Sequence, residues 1–127
     1  MRRAHLLLGA LFLVAFVLTG QYMHRVHNHL EGMADGPRLL YRTRHIFILL
    51  TALLHLCLGA YLRVSPERWR KALQAAGSLL VTVAGVLFLI AFFQEPNLQG
   101  LETPFSHDAA YAILVGVILH VGSGGGQ

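Results

Sequence analysis

Four long apolar blocks divide the chain, and the charged residues collect in the short stretches between them. Each block is to be compared with the roughly 20 residues a helix needs to cross the hydrocarbon core of a bilayer. The first is LLLGALFLVAFVLTGQYM, Leu6 to Met23, and the second IFILLTALLHLCLGAYL, Ile46 to Leu62. The third, ALQAAGSLLVTVAGVLFLIAFF, covers Ala72 to Phe93 and is the clearest span. The fourth is strictly apolar only from Ala109 to Val121, so it spans if it starts near Ser106 or where the bilayer thins. The pattern predicts an all-α fold, an integral membrane four-helix bundle in a single domain, with spans near 5–24, 44–63, 70–93 and 106–122.

The stretches between the blocks carry helix signals. Ser65 is placed to cap the third helix with Pro66 at its first position, and Trp69 among Arg68, Arg70 and Lys71 is an interfacial anchor. Ser106 is placed to cap the fourth helix, with Asp108 at its positive end. Gly32, Gly36 and Pro37 in EGMADGPRLL predict a loop, with room for a short interfacial helical piece, and the tail GSGGGQ reads as flexible. The opening MRR and its apolar run resemble a secretory signal, but Thr19 and Gly20 give no small-x-small cleavage site, so the segment is expected to stay as a span.

Composition sharpens the class. With 55% hydrophobic and 13% charged residues, the chain lies far from the roughly one-quarter charged balance of soluble domains. Its ten Lys and Arg flank apolar segments rather than forming an open basic face, which argues for membrane orientation and against nucleic acid. Arg2, Arg3, Arg63, Arg68, Arg70 and Lys71 fall on the side of the termini, against Arg25, Arg38, Arg42 and Arg44 on the other. That bias predicts an inner-membrane protein with both termini cytoplasmic. Cys57 is the single cysteine, so no intrachain disulfide forms. No phosphate-binding loop, serine nucleophile motif or HExxH pair occurs, and the chain is not expected to be an enzyme on its own. The expected lack of a buried Asp or Glu argues against a carboxylate-driven proton transporter. Gly77, Ser78, Thr82 and Gly85 form a small-residue stripe for close packing on a third span that has no histidine and reads as a structural wall.

The eight histidines are the candidate chemistry. At 1.5 Å rise per residue, His24, His27, His45 and His107 fall near the outer boundary, beside Arg42 and Arg44. His5 and His120 fall near the inner boundary, and His55 lies about 15 Å deeper than His45. His55 is expected to hydrogen-bond across helices, to Ser78 or Thr82. These three form a possible inner or intramembrane polar site. Imidazoles on facing helices can hold a haem whose propionates pair with arginines. One reading is therefore a b-type haem near the outer face, held by His45 with His107 or His24, with Arg42 and Arg44 beside it, for electron transfer. A second is a non-catalytic subunit packed against other membrane proteins. A third is copper handling by the outer loop QYMHRVHNHLEGM, with His24, His27, His45 and His107 as metal ligands and Met23 and Met33 as thioether donors. In this loop His29 is the least expected ligand.

Four spans with His5, His24, His45, His55, His107 and His120 near both faces resemble the compact bundles of the cytochrome b561 kind. RRAHLLLGALFLV is similar to the first span of CopD-like copper-resistance membrane domains. The first resemblance implies haem and the second copper. His45 and His55 are ten residues apart, short of the roughly 13 or 14 that separate two stacked haem layers, whereas His107 and His120 are thirteen apart.

Overall fold

A computed structural model describes residues 1–124. Four helices account for most of it: α1 (Arg2–Arg25), α2 (Asp35–Tyr61), α3 (Arg68–Gln94) and α4 (Pro104–Gly124), with no strand among the described residues. Each is long and apolar enough to cross a membrane. Helix α1 lies along α2 and α3 along α4, and the two hairpins meet chiefly through α2 and α3.

Helix starts depart from the sequence reading in three places. Helix α2 begins at Asp35, so Gly36 and Pro37 lie inside its first turn rather than in a loop. Proline is tolerated there because the first four N–H groups of a helix have no intrahelical partner. Helix α3 begins at Arg68 after Glu67, and Ser65 Oγ instead accepts the Glu67 N–H at 3.3 Å. Helix α4 begins at Pro104, so Ser106 sits within its first turn and is not its cap. At the other end α4 runs through Gly122, Ser123 and Gly124, which were expected to be flexible. Ser123 is buried and its hydroxyl donates to the His120 carbonyl at 2.9 Å. The last three residues of the tail lie outside the described residues.

Large apolar side chains cover the outside of every helix. Leu7, Leu11, Val14 and Leu18 form such a stripe on α1, and Leu79, Val83, Val86 and Ile90 another on α3. The inside has two parts. Toward the two connections that join the helices of each hairpin, Tyr41, Ile48, Ala84, Phe88, Phe92 and Ala109 pack as an apolar core, with Leu30 of the first connection beneath them. Toward the chain termini the interior is polar, with His5, His55, Gln74, His120 and Ser123 all buried. Helices α3 and α4 close together there through a glycine pair. A Cβ on Gly77 would stand 2.7 Å from the Gly116 carbonyl oxygen, and one on Gly116 2.9 Å from that of Gly77.

Candidate functional site: a buried histidine and hydroxyl chain

One polar chain joins all four helices at the terminal end of the bundle. His5 Nδ1 on α1 lies 2.8 Å from His55 Nδ1 on α2, and His5 Nε2 lies 2.9 Å from Ser78 Oγ on α3. Ser78 Oγ is in turn 3.3 Å from His120 Nε2 on α4. Placing an imidazole in an apolar interior is unfavourable unless its nitrogens find partners, and here each ring is a partner for the next. The His55 ring also stacks on Phe12 at 5.6 Å between centroids, and Thr82 Oγ1 approaches its Nε2 at 3.5 Å.

Local helix geometry fixes the pivot of this chain. Ser78 Oγ donates to the Gln74 carbonyl one turn back at 2.7 Å, and Thr82 Oγ1 donates to the Ser78 carbonyl at 2.8 Å. Gln74 secures the α2–α3 connection: its Nε2 donates to the Arg63 carbonyl at 2.9 Å and its Oε1 accepts the Ser65 N–H at 3.1 Å. Gly77 lets His120 approach, since an added Cβ would stand 3.0 Å from the ring. Helix α3, expected to be a structural wall, therefore supplies the hydroxyl that connects the histidines. The sequence groups His5, His55 and His120 and pairs His55 with Ser78 or Thr82; Thr82 does approach His55 at 3.5 Å, whereas Ser78 bonds His5 and His120.

The chain ends at an unpartnered atom. His120 Nδ1 is buried with no hydrogen-bond partner among the described residues, and the residue as a whole is 9% exposed. His120 also lines a cavity of about 730 Å³ between α2, the α2–α3 connection, α3 and α4. Its walls are mainly apolar, with Leu54, Leu58, Val81, Val117 and Val121 among them, while Arg63, Glu67 and Arg70 stand at the connection. Arg70 is paired with Glu67 at 3.0 Å.

The expected outer cluster is placed differently. His24 Nδ1 meets His29 Nδ1 at 3.0 Å, so the least expected ligand of the loop joins a pair. Asn28, His29 and Leu30 have positive φ of 43°, 59° and 64°, the backbone turn that folds His29 back onto α1. His27 packs its ring on Tyr22 and Tyr41. His45 lies over Phe16 at 4.1 Å, with Nδ1 2.9 Å from Thr19 Oγ1. His107 is exposed, near Asp108 and Tyr111. Arg42 lines a small pocket with Met23, His24 and His29.

Arg44 is buried, with Nε 2.7 Å from Glu95 Oε2. Glu95 is itself fully buried, which corrects the expectation that no carboxylate is. It accepts the Ser106 N–H at 2.7 Å and the Ser106 hydroxyl, so it takes over the capping task assigned to Ser106. Arg44 is thus committed away from a haem propionate, and His45 faces no second imidazole among the described residues. As placed, these residues do not supply the paired ligands of a haem layer. Among the described residues no group of three or more His, Cys, Asp or Glu is arranged to hold a metal ion.

No protein-family model, curated protein or solved structure matches the chain. The class defined by its own features is an all-helical four-helix chain, apolar outside and polar within one end.

Proposed function

We propose that this is a multi-pass protein of the inner membrane, with cytoplasmic termini, that binds a lipid-soluble molecule in the cavity beside His120. The apolar stripes on every helix support the membrane setting, because such surface in water would be an association site. The observation that carries the binding reading is His120, which lines a largely apolar cavity and whose buried Nδ1 has no partner among the described residues. A buried polar atom without a partner costs about 1–3 kcal/mol, and a ligand head group that reaches it recovers that cost. The cavity volume lies within the roughly 300–1,000 Å³ of small-molecule sites. The test is native mass spectrometry of protein released from nanodiscs, before and after Val117→Phe. An adduct that co-purifies with the parent protein and is lost in the filled variant supports the reading; adducts identical in both would overturn it.

A second reading, copper handling at the other end, is favoured by the His24–His29 pair and by Met23 on the same pocket. His24 Nδ1 and His29 Nδ1, 3.0 Å apart, would hold the ion together with the Met23 thioether from the same pocket. Two imidazoles and a thioether suit Cu(I), and Arg42 on the pocket favours a monovalent over a divalent ion. Competition for Cu(I) with a chromogenic chelator tests it: the chelator keeping all the metal excludes this reading.

A further inference from the structure

The hydrogen-bond chain behind His120 says what kind of head group the cavity takes. The chain can run in either direction with every ring neutral. In one direction His55 Nδ1–H donates to His5 Nδ1, His5 Nε2–H donates to Ser78, and the Ser78 hydroxyl turns to His120 Nε2. His120 then carries its proton on Nδ1 and is a donor for a head group that reaches it. In the other direction His120 Nε2–H donates to Ser78, the hydroxyl donates to His5 Nε2, and His5 Nδ1–H donates to His55. His120 Nδ1 is then a bare acceptor. When the hydroxyl rests on the Gln74 carbonyl, Ser78 accepts from both imidazoles and Nδ1 is again an acceptor.

A fixed polar group at this position would select one head group, either a carbonyl or a hydroxyl. A histidine held by a reversible chain serves both, and the same molecule can present first one and then the other. Resting on the cavity reading above, we propose that the cavity binds molecules of the quinone and quinol class, with His120 Nδ1 donating to the carbonyl of the oxidised form and accepting from the hydroxyl of the reduced form. His120 acts as a binding residue, and Ser78 as a positioning residue that sets its tautomer. The surroundings fit a lipophilic ring with a tail. Leu54, Leu58, Val117 and Val121 supply apolar wall, and α2 and α4 scarcely touch along this edge, which leaves a path from the bilayer. Cys57 and Val121 on that edge are exposed.

The chain's only tryptophan, Trp69, sits between the cavity-lining Glu67 and Arg70 and gives a readout, because quinones quench indole fluorescence. Protein in phosphatidylcholine nanodiscs is titrated with decylubiquinone, and with decylubiquinol as a competitor. Saturable quenching is expected, with the two forms binding within about tenfold of each other. His120→Leu should weaken both at least tenfold and His120→Gln, which keeps a donor and an acceptor, should restore most of the loss. Ser78→Ala should change the ratio of the two affinities more than threefold, a shift that simple loosening of the site would not give. Quenching that never saturates, or saturates equally in His120→Leu, overturns the quinone proposal. If Val117→Phe still removes a native adduct in that event, the cavity reading stands and its occupant is a lipid.

Discussion

Glu95 Oε2 stands 2.7 Å from Arg44 Nε, with the acid fully buried and the guanidinium nearly so. Glu95 also takes the N–H and hydroxyl of Ser106, so a single carboxylate joins α2 to the first turn of α4. A buried charge left without its partner costs about 3–5 kcal/mol, whereas replacing both partners with apolar groups is often neutral. Glu95→Gln is therefore expected to lower stability by about 3 kcal/mol, seen as a large drop in the thermal midpoint in mild detergent. The double change Arg44→Met with Glu95→Met should recover much of it. A single variant that unfolds like the parent would contradict this role.

Gly77 and Gly116 set the spacing of α3 and α4 where His120 meets Ser78. Since a Cβ at Gly77 would stand 2.7 Å from backbone oxygen, Gly77→Ala must push the helices apart. The expected cost is about 1–3 kcal/mol, the usual range for overpacking. Ala at Gly122, where an added Cβ meets nothing, should have little effect by the same measurement. Equal midpoints for the two variants would argue against the close crossing.

The architecture was legible because apolar length is a strong signal: four blocks gave four helices. Depth counting also puts His5 and His120 at one end of the bundle, where their rings lie 5.9 Å apart, since helical rise is fixed. What it could not give was azimuth. His24, His45 and His107 are expected at one depth but meet different partners, and His24 finds His29 through a left-handed turn that no residue type in Asn28–Leu30 demands. Glu95 follows the apolar block, so nothing in the local pattern predicts that it is buried. Its burial comes from partners 51 and 11 residues away in Arg44 and Ser106, which local pattern cannot register. Ser78 is legible in sequence as a small packing residue and as a candidate partner for His55, but not as the hydroxyl that bonds both His5 and His120.

His5 and His55 hold each other inside the bundle, so their contributions should not add. Removing one ring leaves a buried nitrogen without its partner, at about 1–3 kcal/mol, while removing both leaves none. A double-mutant cycle of His5→Leu and His55→Leu, followed by thermal unfolding in detergent, is expected to give a coupling of about 0.6–2 kcal/mol. Additive effects would mean that the 2.8 Å contact contributes nothing measurable.

His29 offers a substitution that separates folding from metal binding. Its φ of 59° is a left-handed conformation that costs an ordinary residue about 1–2 kcal/mol and glycine almost nothing. The gain is offset by the greater freedom of glycine in the unfolded chain, so His29→Gly should change stability by less than ~1 kcal/mol. The side chain is exposed, and the substitution removes its hydrogen bond to His24. If the His24–His29 pair holds copper, His29→Gly should keep the parent's thermal midpoint yet lose Cu(I) to the chelator. His45→Ala, at a histidine bonded instead to Thr19, should retain the metal. Copper retained in His29→Gly and lost in His45→Ala would place the ligands elsewhere and exclude this pair as the site.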